Sequence, residues 1–104
     1  MSEISTGERD YLIGQLRDAA IVLDEAEHAK VLRTGDANFT MAQGVLRSWR
    51  RAIESTTERE TVVRHLKELD QDLSLVGGPS AVDAVQAARR LVGDAHFRIL
   101  SARD

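Results

Sequence analysis

The sequence predicts an all-α protein, an antiparallel bundle of three or four helices that forms a single domain over residues 1–104. Two observations predict this class. Apolar residues recur at helical spacing along four successive segments, and each of these segments has a helix-start signal. Aromatic residues make up only 4% of the chain, so Leu, Ile, Val and Ala must form the core, which suits closely packed helices better than a sheet.

The composition limits the classes of function. A net charge of −3 argues against a general role in binding polyanions. The chain contains no cysteine, which excludes disulfides, thiol nucleophiles and zinc–thiolate sites. The segment Met1–Ile4 has neither a basic region nor an apolar run, and no stretch approaches the ~18 apolar residues of a membrane span. We therefore expect a cytoplasmic protein with no membrane partner and no cofactor.

The first helix is expected from about Gly7 to Arg33. Ser5 and Glu8 have the spacing of a capping box, and Gly35 lies where a C-terminal cap is expected. The main apolar face consists of Leu12, Ile13, Leu16, Ala19, Ala20, Leu23 and Ala26. A second apolar cluster lies on another side and consists of Tyr11, Ile21, Val22, Ala29 and Leu32. A lone surface helix needs one apolar stripe, so two stripes indicate burial from two directions, by the chain's other helices or by a second subunit.

The second helix is expected to follow a loop at Asp36-Ala37-Asn38, with Thr40 as its N-cap and Gln43 completing a capping box. The apolar face of this helix consists of Met41, Val45, Leu46, Trp49, Ala52 and Ile53. The basic residues that point away from this face are Arg47, Arg50 and Arg51.

Residues 41–76 could form one helix or two. At about 100° per residue, the face around Trp49 and the face carrying Val62 lie more than a quarter turn apart, so a straight helix would not present one continuous apolar stripe. Thr57 and Glu60 also have the spacing of a fresh capping box. We therefore predict a break or sharp kink at Ser55-Thr56-Thr57.

The third and fourth helices have the clearest patterns. The third, from about Glu58 to Val76, carries a coiled-coil-like seam at alternating spacings of four and three: Val62, Leu66, Leu69, Leu73 and Val76. Gly77-Gly78-Pro79 ends it, because glycine permits a left-handed cap and proline cannot continue a helix. Ser80 is the expected N-cap of the fourth helix, whose inward face is Ala81, Ala84, Val85, Ala88, Leu91, Val92, Ala95 and Ile99. A smaller apolar patch on that helix consists of Val82, Phe97 and Leu100.

The segment Arg47-Ser48-Trp49-Arg50-Arg51 places basic residues beside an aromatic ring, as nucleic-acid sites do. Helical spacing places Trp49 on the apolar face, which favours a core position for the ring. The arginines then form a solvated face, paired with Asp18, Asp24 or Glu25 of the first helix, or a protein-binding surface. Nucleic acid is the less favoured partner.

Three further residues could carry chemistry. Glu25 and His28 have the Glu-x-x-His spacing of di-iron bundles, but such sites need two of these motifs and two further glutamates, and the chain offers one motif. His65 lies near Lys67, as the phosphoacceptor of a histidine phosphotransfer domain lies near a lysine, but the usual spacing is three residues rather than two. An ordinary helix-flank histidine is the favoured interpretation.

No residues pair a nucleophile with its base, so we expect no enzymatic activity. The leading hypothesis is a protein-interaction module that self-associates, as a dimer, through the second apolar cluster of the first helix. The alternative is a small regulatory protein that binds a protein or nucleic acid through the face formed by Arg47, Arg50 and Arg51. A third class is a metal-binding or phosphotransfer bundle.

Overall fold

A computed structural model describes residues 3–29, 37–76 and 82–101. These residues form four helices, which are α1 (Thr6–Ala29), α2 (Ala37–Glu54), α3 (Arg59–Val76) and α4 (Val82–Ser101). Each helix packs against two neighbours, in the order α1, α2, α3, α4 around the core, and α4 closes the ring on α1. The predicted all-α bundle is confirmed.

The helices alternate in direction. The Arg9 side chain at the start of α1 donates to the carbonyl of Glu54 at the end of α2. The Arg59 side chain at the start of α3 donates to the carbonyl of Ile99 near the end of α4. Two helix starts and two helix ends therefore meet at one end of the bundle, which is the antiparallel arrangement that the sequence predicts.

The predicted capping box of α1 is confirmed. The Ser5 amide donates to Glu8 Oε1 at 2.9 Å, and the Glu8 amide donates to Ser5 Oγ at 3.1 Å. These two bonds satisfy amide groups that have no partner within the first turn of a helix. Ile4, just before the cap, is buried in the core. The expected cap at Gly35 and the end of the helix at Arg33 lie outside the described residues.

The start of α2 differs from the prediction. Ala37 and Asn38 belong to the helix, so the expectation of a loop there, with Thr40 as N-cap, was wrong. Alanine is the strongest helix former, and the amide groups of a first turn need no partner within the helix, so the helix can begin three residues before Thr40. Met41 was also wrongly assigned to the apolar face, because its side chain is exposed while Ala42 is fully buried.

The predicted break between α2 and α3 is confirmed, and residues 41–76 form two helices. The capping box of Thr57 and Glu60 was wrong, because the Thr57 hydroxyl donates to Glu3 Oε2 at 3.0 Å instead. Glu58 is the N-cap: its carbonyl accepts from the Val62 amide at 3.0 Å. The Ile4 amide also donates to the Thr57 carbonyl at 2.8 Å, so the segment before α1 runs along this turn.

The core is aliphatic, as the composition predicts. In α3 the seam residues Val62, Leu66, Leu69 and Leu73 are fully buried, and Val76 packs partly buried against them. The other helices contribute Leu12, Leu16, Ala19, Leu23, Ala42, Leu46, Ile53, Val85, Ala88, Val92, Ala95 and Ile99. The small alanine side chains of α4 let its neighbours approach closely. The predicted turn at Gly77-Gly78-Pro79 and the cap at Ser80 lie outside the described residues.

A buried ion pair lies where α1, α3 and α4 meet. Arg59 Nη1 donates to Glu8 Oε2 at 2.6 Å, and Nη2 donates to Glu8 Oε1 at 2.9 Å. The same guanidinium donates to the carbonyls of Ile99 at 2.9 Å and Glu3 at 3.4 Å. Arg9 acts similarly on α2, donating to the carbonyl of Glu54 at 2.5 Å. Cations suit these positions, because the last carbonyls of a helix lack partners and carry partial negative charge.

Candidate interaction surfaces

An open groove of about 490 Å³ runs between α2 and α3. It is lined by Gly44, Val45, Ser48, Trp49, Ala52 and Asp72. Gly44, Ser48 and Ala52 follow one another at intervals of four residues and therefore share one face of α2. A side chain added at Gly44 would have its Cβ in open space, with nothing within 4 Å. The α2 side of the groove therefore carries little side-chain bulk.

Trp49 is held in a fixed orientation at the side of this groove. Its ring is half-buried against the core, in line with the prediction that it lies on the apolar face of α2. The indole Nε1 donates to Asp72 Oδ2 at 2.7 Å. The ring also lies 5.2 Å, centroid to centroid, from the His65 imidazole, at an angle of 47°. Two contacts with α3 thus set the position of the indole.

The arginines of α2 take two positions. Arg47 and Arg51 are exposed, while Arg50 is half-buried and pairs with Glu54 of the same helix at 2.9 Å. The suggested pairing of this face with acidic residues of α1 does not appear for Asp24, whose carboxylate accepts from Gln43 Nε2 at 2.7 Å. Arg47 and Arg51 come three residues after Gly44 and Ser48, so they lie next to these residues on α2, just outside the groove lining. Arg47 also lines a second depression, of about 200 Å³ between α1 and α2, together with Asp24 and Arg50.

The structure divides the second apolar cluster of α1. Tyr11 packs half-buried against the core, and the Arg98 guanidinium lies 4.9 Å from its ring centroid. Val22 is half-buried, whereas Ile21 is 43% exposed. The side chains of Ala29 and Leu32 lie outside the described part of the chain. Tyr11 therefore faces α4, Val22 is partly covered, and Ile21 lies on the outer side of α1.

The largest aromatic exposure among the described residues lies on α4. Phe97 is 71% exposed. It lines a shallow depression of about 440 Å³ together with Tyr11, Asp94, Arg98 and Ser101. Asp94 and Arg98 are four residues apart and thus lie on the same face of the helix. The depression therefore combines apolar surface from α1 and α4 with one acidic and one basic side chain.

The candidate metal and phosphotransfer residues stay separate. Glu25 and His28 are exposed, and His28 Nδ1 lies 2.9 Å from the Asp24 carbonyl oxygen. Across residues 3–29, 37–76 and 82–101, no three His, Cys, Asp or Glu side chains come together as a metal site would require. His65 is half-buried beside Trp49, with Nδ1 4.0 Å from Glu68 Oε2, while Lys67 is exposed.

The strongest charge interaction was missed by sequence reasoning. Hydrogen bonding from Arg59 lowers the pKa of Glu8 from 4.5 to about 2, against the opposing effect of burial. The sequence does contain a signal for it. Arg59 precedes Val62 by three residues and Leu66 by seven, so it continues the apolar seam of α3 with a charged residue. A charge at a core position needs a buried partner, and Glu8 is that partner.

No protein-family model matches this chain, and neither a curated protein nor a solved structure is detectably similar to it. Within the described residues, no helix combines the length and apolar character needed to cross a membrane.

Proposed function

We propose that this chain is a non-enzymatic protein-interaction module that self-associates through the face shared by α1 and α4. The observation that carries the proposal is the exposure of Phe97, at 71%, beside the half-buried ring of Tyr11. Exposed aromatic surface next to a shallow depression is typical of contact sites between subunits. Of the second apolar cluster that the sequence favours, Tyr11 remains part of the contact. The centre of the contact lies on α4 rather than on α1.

The charges around Phe97 support pairing of two identical surfaces. Asp94 and Arg98 lie one helical turn apart on α4. When two copies of α4 meet antiparallel about a two-fold axis midway between Asp94 and Arg98, one residue before Phe97, each Asp94 lies opposite the Arg98 of the other copy. The contact of Arg98 with the Tyr11 ring, at 4.9 Å, holds the guanidinium on this face. The surface is therefore complementary to itself in charge as well as in apolar character.

The test is the oligomeric state of Phe97→Glu, measured by sedimentation velocity with far-ultraviolet circular dichroism as the check on folding. We expect the wild-type chain to dimerise and the variant to dissociate at least about tenfold more readily, which corresponds to ~1.4 kcal/mol. Helicity should not change, because Phe97 lies outside the core.

Two matched variants locate the contact. Leu75→Glu alters an even more exposed side chain, at 82%, on α3, and should leave the dimer intact. Ile21→Glu tests the outer side of α1. Dissociation by Ile21→Glu but not by Phe97→Glu would move the contact back to α1, and a monomeric wild-type chain would refute self-association.

A further inference from the structure

We propose that the groove between α2 and α3 binds an amphipathic helix of another protein, and that this helix carries acidic residues along the edge that meets Arg47 and Arg51. This surface is separate from the α1–α4 face, so the proposal does not depend on self-association.

The walls of the groove fit a helix. Gly44, Ser48 and Ala52 present almost no side-chain bulk on one face of α2. Small residues let a second helix approach to the 8–10 Å interaxial distance of close packing. The indole of Trp49, fixed by its 2.7 Å bond to Asp72, supplies a rigid apolar side to the groove. Rigid aromatic side chains of this kind are frequent anchors in protein contacts.

The positive charge of α2 indicates which residues the partner helix should carry along one edge. The described α2 contains three arginines and one glutamate, a net charge of +2 on a chain whose total is −3. Arg50 pairs with Glu54, whereas Arg47 and Arg51 form no ion pair with another described residue. They are exposed, one helical turn apart, and directly beside the small residues of the groove. Two carboxylates one turn apart on a docked helix would match them.

The opposite side of the groove argues against nucleic acid. Asp72 lines it, and Glu68 lies one turn earlier on the same face of α3. These carboxylates would repel a phosphate backbone that followed the groove. The Trp49 ring is half-buried, with the His65 ring 5.2 Å away between centroids and the core behind it, so it offers less surface for stacking on a base than an exposed aromatic ring would. A protein helix that is acidic only along the edge next to Arg47 and Arg51 avoids this repulsion on the α3 side.

The chain contains one tryptophan, and it lies in the groove, so its fluorescence reports directly on binding. The probes are two synthetic helical peptides with the same Leu/Ala face and no tryptophan. One has two glutamates, four residues apart, along one edge, and the other has lysines at those positions. We expect saturable change in Trp49 emission with the glutamate peptide and at least about tenfold weaker binding of the lysine peptide. The double variant Arg47→Glu, Arg51→Glu should reverse this preference.

The variant Gly44→Leu separates groove binding from other effects. The added Cβ meets open space and leucine is a better helix former than glycine, so the variant should fold and melt at a higher temperature while losing the glutamate peptide. Gly14→Leu, at a helical glycine of α1 with equally open surroundings, should retain it.

Four results would overturn the proposal. These are equal binding of the two peptides, unchanged Trp49 emission, undiminished binding by Gly44→Leu, and tighter binding of a DNA or RNA duplex than of the glutamate peptide. Dissociation of a wild-type oligomer by Gly44→Leu would instead assign the groove to a second copy of this chain, and would equally overturn it.

Discussion

Among the described residues, two arginine–carboxylate pairs join helices, Arg59 with Glu8 at one end of the bundle and Arg89 with Asp70 on its flank. The first has side chains 8% and 11% exposed and a shortest distance of 2.6 Å between nitrogen and oxygen. The second has side chains 29% and 38% exposed and a shortest distance of 3.0 Å. In each pair the carboxylate raises the pKa of the arginine by accepting hydrogen bonds.

The two ion pairs differ in the further hydrogen bonds that their side chains make. Glu8 also caps α1, and Arg59 also donates to the carbonyl of Ile99 near the end of α4. Removing either partner would leave the other charged and buried, a situation that costs far more than the loss of one contact. Arg89 and Asp70 can both turn to water instead. The lesson is that burial and additional backbone bonds, rather than the pairing of opposite charges, decide how strongly an ion pair supports the fold.

The largest expected effect is that of Arg59→Ala. The substitution leaves the buried Glu8 carboxylate without its cationic partner and removes the donor to the Ile99 carbonyl. The free energy of unfolding should therefore fall by about 3–5 kcal/mol in urea denaturation. Arg64→Ala, at an exposed position of the same helix, is the matched control and should change it by less than about 0.5 kcal/mol. Similar losses for the two variants would show that the pair contributes no more than a surface charge.

A smaller effect is expected from acid. The folded pKa of Glu8 is lowered from 4.5 to about 2, so its stabilising contribution is complete above about pH 5 and disappears as the pH falls through 2. The full shift corresponds to about 3 kcal/mol. Wild-type stability should fall by that much more than the stability of Glu8→Gln over the same range. If the stability of both proteins fell equally with pH, the result would contradict the lowered pKa of Glu8.

The smallest effect is expected on the flank. Arg89→Ala should cost less than about 1 kcal/mol, and the cost should shrink further at high salt, because exposed pairs are screened. A double-mutant cycle with Asp70→Ala isolates the coupling between the two side chains. A coupling as large as the loss in Arg59→Ala would remove the distinction between the two pairs.

Local patterns predicted what depends on neighbouring residues. The capping box of Ser5 and Glu8 and the seam from Val62 to Leu73 were both predicted from short spacings. The break after Glu54 followed from a mismatch in helical phase. Each of these features is decided within one or two turns, where the sequence contains all the necessary information.

Features formed between distant segments were not predicted. Glu8 and Arg59 are 51 residues apart, and Trp49 and Asp72 meet only because α2 and α3 lie side by side. The second cluster of α1 divided because α4 contacts the side with Tyr11 and leaves Ile21 on the outside. Helical phase shows that a residue leaves the main face, but which neighbour covers it depends on how the helices are arranged around the core.

The ring order of the helices also affects when the protein can fold during synthesis. The most extensive helix–helix contact joins α1 to α4, the first and last helices of the described chain. The ribosome releases α1 first, yet its principal neighbour is not complete until residue 101 has emerged. Arg59 likewise waits for the Ile99 carbonyl. The bundle therefore cannot close until α4 has left the ribosome, and until then the side of α1 that contacts α4 is exposed to solvent or covered by a chaperone.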